Sequence, residues 1–126
     1  MLTIYVTFLS QSYYVSVTGH CEFDFIILLD SSASIIRTHW GGHPDNWGKV
    51  LQMVRLLIES IDSYSTIGVT SRVAIINYST AVKVVVDFSE NLNKNELLAL
   101  IDDGAIEHYK RATFMTSAVL MAMNLL

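Results

Sequence analysis

Apolar residues fall along this chain in two rhythms, and each change of rhythm marks an element. Phe25-Ile26-Ile27-Leu28-Leu29 is an unbroken run, too short for a lone helix and suited to a strand buried on both faces. Trp47, Val50, Leu51, Val54, Leu57, Ile58 and Ile61 then recur at spacings of three and four, while Lys49, Gln52, Arg55 and Glu59 take the opposite side. That stripe predicts a helix, with Asp45 or Asn46 as its cap. Ser60 to Thr70 is polar and reads as turns. Arg72–Ser79 and Ala81–Asp87 read as two further strands, joined as a hairpin through Ser79 and Thr80. Asn93 with Glu96 three residues on forms a capping box for a helix over Lys94–Asp103, which Gly104 ends. A last, mostly apolar helix is predicted from Ser117 to Leu126.

The first twenty residues carry no single rhythm. Leu2–Leu9 is apolar but interrupted by Thr3 and Thr7, and no Lys or Arg precedes it. Residues 1–21 therefore stay open as a signal peptide, with Val17-Thr18-Gly19 as its cleavage site, or as a linker. Tyr13, Val15 and Val17 alternate with polar residues, so a short strand is open too. No stretch is long and apolar enough for a membrane span.

Composition narrows the class. With 52% hydrophobic and 16% charged residues over 126 positions, the chain forms one core and is not disordered. The net charge of −4, without a basic run, removes the electrostatic basis for binding nucleic acid.

The chemistry sits where the first buried strand stops. Asp30 follows Leu29, and Ser31, Ser32 and Ser34 follow within four residues. Asp30, Ser32 and Ser34 make the pattern Asp-x-Ser-x-Ser at the carboxyl edge of a sheet, where open α/β sheets place their sites. One carboxylate and two hydroxyls suit a small hard cation such as Mg²⁺. A Ser-rich turn capping the next segment is the plainer reading of the same residues. Beyond them, Ile35–Pro44 is a loop with two glycines and a proline. His39 and His43 within it read as loop histidines rather than zinc ligands, and Trp40 as a contact residue or a cover for the core. Asn77-Tyr78-Ser79 is a glycosylation sequon, but it lies inside a predicted strand, which favours a structural Asn77.

Phe23–Ile35, an acidic-apolar strand followed by Asp-x-Ser-x-Ser, resembles the opening of a von Willebrand factor A domain. Ala105–Leu120 is similar to a second part of the same family, where Gly-Gly-Thr-x-Thr-Gly precedes a helix. Thr113 falls on the metal-site threonine. Arg111 and Ala112 stand at the family's glycines, Met115 at its second threonine and Thr116 at its last glycine. The resemblance implies an α/β, Rossmann-like open sheet of order 3-2-1 with helices on both faces, a partial A domain over residues 22–126. It implies an extracellular or secreted adhesion module, or the ectodomain of a membrane protein. Asp30, Ser32, Ser34 and Thr113 would hold Mg²⁺ or Mn²⁺, which binds an acidic side chain of a protein partner. A metal-free protein-interaction module is the alternative.

The resemblance also implies that Cys21 pairs with a cysteine outside this sequence, against the alternative of a free or buried thiol. An enzyme with Ser32 or Ser34 as nucleophile is not expected, because no Gly-x-Ser-x-Gly elbow surrounds them. The family's central strand, with a second metal-site aspartate, would lie beyond Leu126. On that reading one edge of Phe25–Leu29 is unpaired, the chain self-associates, and its metal binding is weak.

Overall fold

The computed structural model describes residues 2–8, 11–12 and 23–126. The proposed cleavage site, the short strand over Tyr13–Val17 and Cys21 lie outside the described residues. Among the described residues five strands form the sheet: β1 (Leu2–Phe8), β2 (Gln11–Ser12), β3 (Phe23–Asp30), β4 (Ser71–Tyr78) and β5 (Val82–Val86), in the order β2-β1-β3-β4-β5. Three α-helices, α1 (Asn46–Tyr64), α2 (Lys94–Asp102) and α3 (Met115–Leu125), flank it. This is the expected α/β sheet, with the hairpin strands β4 and β5 beside β3.

The expectation of an unpaired edge on β3 is corrected. β1 lies along it in parallel, Leu2 opposite Asp24 through Val6 opposite Leu28. The physical reason is local. Thr3-Ile4-Tyr5-Val6-Thr7 is rich in β-branched and aromatic residues, and residues 9–22 give the length that a parallel return needs.

Alternation along β3 and β4 divides the core into two layers. Phe25, Ile27, Leu29, Val73 and Ile75 face one way and meet Val50, Val54, Ile58 and Ile61 of α1 and Leu97 and Ile101 of α2. Ile26, Leu28, Ala74, Ile76 and Tyr78 face the other way and meet Ala118 and Ala122 of α3. A strand sandwiched between two helical layers has no solvent face, which is why β3 reads as a solid apolar run. Its register with β4 is pinned at the amino end by Arg72, which donates to both Asp24 carboxylate oxygens at 2.8 and 2.6 Å and lies over the Phe88 ring.

Element ends differ from expectation in three places. α1 continues through Ser60 and Ser63 to Tyr64 because buried Ile61 keeps the stripe going and Ser63 Oγ–H donates to Ser60 O at 2.7 Å. The hairpin connection is Ser79-Thr80-Ala81, with Ser79 N–H donating to Ala81 O at 2.9 Å and a bulge at Ile75/Ile76. α3 begins at Met115, two residues before the expected Ser117. The α2 capping box is as expected: Asn93 Oδ1 accepts the Glu96 N–H at 3.1 Å and Glu96 Oε2 accepts the Asn93 N–H at 2.8 Å. Gly104, at φ +72°, follows the helix in a left-handed conformation.

Candidate metal centre

β3 delivers Asp30 to the carboxyl edge on the same side as Ile26 and Leu28, the side α3 covers. Asp30 Oδ1 accepts the Ser32 N–H at 2.8 Å, which turns the chain sharply at the end of the strand. Ser31 points inward: its N–H and Oγ–H both donate to Tyr78 O, at 2.9 and 3.1 Å. Beyond Asp30 the chain leaves the strand, and the turn brings Ser32 and Ser34 together. Their hydroxyl oxygens lie 2.9 Å apart, with Ser32 buried and Ser34 half-buried. The x positions of Asp-x-Ser-x-Ser are thus structural, and the named positions converge.

The loop after Ser34 folds back on it. A 3₁₀ turn over Ala33–Ile35 leads to Gly42, whose N–H donates to Arg37 O at 3.0 Å. A Cβ at Gly42 would stand 2.4 Å from Ser34 O, so only glycine allows this approach. The side chain of Trp40 lies outside the described residues, and His39 and His43 are exposed. His43 Nδ1 accepts the Asp45 N–H at 3.2 Å. Among the described residues, no group of three His, Cys, Asp or Glu side chains comes together.

Residues 108–114 form the second wall. Lys110 N–H donates to Ser31 O at 2.9 Å, and Arg111 O accepts the Ala33 N–H at 2.8 Å. Ser79 then takes hold of both neighbours of Thr113: its Oγ–H donates to Ala112 O at 2.7 Å and its O accepts the Phe114 N–H at 2.9 Å. Ser79 follows Tyr78, which pairs in register with Asp30. The structure therefore brings Thr113 to the same edge as Asp30, Ser32 and Ser34, with its side chain exposed. Thr113 does not cap α3. Phe114 holds that position and makes no side-chain cap bond.

The residues that support this edge do so through contacts the sequence pattern does not show. His108 Nε2 lies 3.0 Å from Ser32 O, which makes that nitrogen the protonated donor. Its ring stacks on Trp47 at a centroid distance of 4.6 Å, near the start of α1. Trp47 reads in sequence as the first residue of an apolar stripe and His108 as part of an aperiodic link, so their meeting is purely tertiary. Ser79 reads as a turn residue, which it is, but its bonds to Ala112 and Phe114 come from the far end of the chain. Asn77 is buried and donates to Glu107 O at 2.7 Å, a structural role in keeping with its place inside a strand. Tyr78 stays a neutral phenol: burial first, and the nearby Asp30 carboxylate second, push it up to about 12.

This donor set fits a hard divalent cation. It offers one carboxylate and hydroxyl oxygens and no sulfur or imidazole, and Ser32 Oγ and Ser34 Oγ are already held together. The family model of the von Willebrand factor type A domain matches residues 24–126. With most of its length matched, and with the fold described above, the chain belongs to that family. Domains of this family mediate protein–protein interaction, often bind a divalent metal and are commonly extracellular. No curated protein matches the chain. Among the described residues, no helix is long and apolar enough to cross a membrane.

Proposed function

We propose that residues 22–126 are an extracellular adhesion or ligand-binding module that holds Mg²⁺ or Mn²⁺ on Asp30, Ser32, Ser34 and Thr113 and binds an acidic side chain of a protein partner there. The observation that carries this reading is the meeting of two distant segments at one sheet edge. The Asp30–Ser34 turn, with its two hydroxyls 2.9 Å apart, is tied to the segment bearing Thr113 by backbone hydrogen bonds. When bound, the cation supplies a positive point with an open position for a carboxylate. Asp30 is oriented for this by the Ser32 N–H, and Ser31 and His108 fix the turn from below and beside it. Among the described residues, His108 Nε2 is bonded to the Ser32 carbonyl and Ser32 Oγ to Ser34 Oγ, so that imidazole is not paired with either hydroxyl, which favours binding over hydrolysis.

The test is fluorescence anisotropy of a labelled glycine–serine peptide carrying one glutamate, titrated with the full chain in millimolar Mg²⁺. Binding that EDTA reverses and Mn²⁺ restores is expected. Binding that survives chelation would instead make this a metal-free interaction module.

A further inference from the structure

The segment 108–111 runs alongside the turn, hydrogen-bonded to it through its backbone, and carries two cationic residues, Lys110 and Arg111. Lys110 N–H to Ser31 O and Ala33 N–H to Arg111 O, at 2.9 and 2.8 Å, bracket Ser32 from both sides. The backbone of Lys110 and Arg111 is thereby fixed beside the candidate donor oxygens, while both side chains are exposed. Among the described residues neither is in an ion pair. Lys110 sits at φ +56°, a left-handed conformation that glycine takes without strain and lysine does not. A lysine kept where glycine fits better is a candidate for a side-chain role. The chain as a whole carries a net charge of −4, so an acidic partner gains from a local cationic patch at the place where it docks.

We propose that Lys110 and Arg111 form a second, cationic contact beside Asp30–Ser34 that selects acidic protein segments with two neighbouring carboxylates, one for the metal site and one for this pair. The proposal rests on the metal-dependent reading above. It gives the site a preference that a single carboxylate–cation contact lacks, because a lone bound carboxylate carries no information about its neighbours.

The experiment compares two labelled glycine–serine peptides, one with a single glutamate and one with a second glutamate two residues away, on the full chain and on Lys110→Gly/Arg111→Gly. The unaltered chain is expected to bind the two-glutamate peptide about threefold to twentyfold tighter, the size set by one or two exposed charge contacts, and to lose that preference as NaCl is raised. In the double variant the preference falls to about one. Its thermal midpoint stays within a few degrees, since glycine relieves the left-handed backbone at position 110. A preference that the variant retains overturns the proposal. The metal reading then still stands as long as EDTA releases the single-glutamate peptide. Retention of both peptides in EDTA, or binding of neither, overturns the metal reading and this proposal with it. Displacement by a heparin oligosaccharide that binds more tightly than either peptide overturns the choice of an acidic protein segment.

Discussion

Thr113 is where one residue separates metal binding from folding. It is exposed, it does not cap α3, and its position is set by its neighbours through Ser79. Thr113→Ala removes a hydroxyl and no buried contact. It should weaken Mg²⁺ binding severalfold in calorimetry while the thermal midpoint moves by no more than a few degrees. Unfolding of the variant would mean that Thr113 supports the loop and not a ligand. At this scale the sequence shows residue type and order but not company. Asp30, Ser32 and Ser34 are legible because their spacing is local. His108 is not, because its partners Ser32 and Trp47 are brought to it only by folding.

At the scale of elements, the ties between helices rest on a few polar contacts as well as on the apolar stripes. Asp62 near the end of α1 accepts the Ile67 N–H at 3.0 Å and pairs with Lys94 of α2, also at 3.0 Å. These two partners, the Ile67 N–H first, hold its carboxyl below the usual carboxylate range. A carboxylate whose pKa is depressed on folding stabilises the fold fully above its unfolded pKa. That contribution is lost as pH falls through the folded value. The stability gap between the unaltered chain and Asp62→Asn, from urea unfolding, should therefore be constant at neutral pH and shrink below about pH 4. A gap that persists unchanged into strong acid would show that the variant costs only shape. The helices were legible because periodicity and caps are local: Asn93, Glu96 and Gly104 bound α2 as written. The start of α3 was less so. Phe114 and Met115 carry no capping signal, and tethering of the preceding loop to Ser79 places the first turn.

For the whole molecule, the sheet extends past β3 on the side where an open edge was expected. β1 occupies that side through its parallel register with β3. Nothing in Leu2–Phe8 names its partner. Parallel pairing is non-local, so this placement could not be read from an apolar stretch that also fits a signal peptide. Removing residues 1–22 should uncover a flat, apolar strand edge, and an uncovered edge recruits other chains. Sedimentation velocity at micromolar concentration should show more self-association for the shortened chain than for the full one. Equal behaviour would mean that β1 does not protect β3 in solution. The apolar residues Leu120 and Met123 of α3 are exposed in both and give a common background.

The cation at the sheet edge is the claim on which the functional account turns, and Asp30 is the only carboxylate in the proposed ligand set. Isothermal titration of the full chain with Mg²⁺, repeated on Asp30→Ala, measures it directly. Saturable binding that weakens by at least about tenfold in the variant is expected, because charge and ligand count set affinity for hard cations. Equal Mg²⁺ affinity in the two proteins would contradict it.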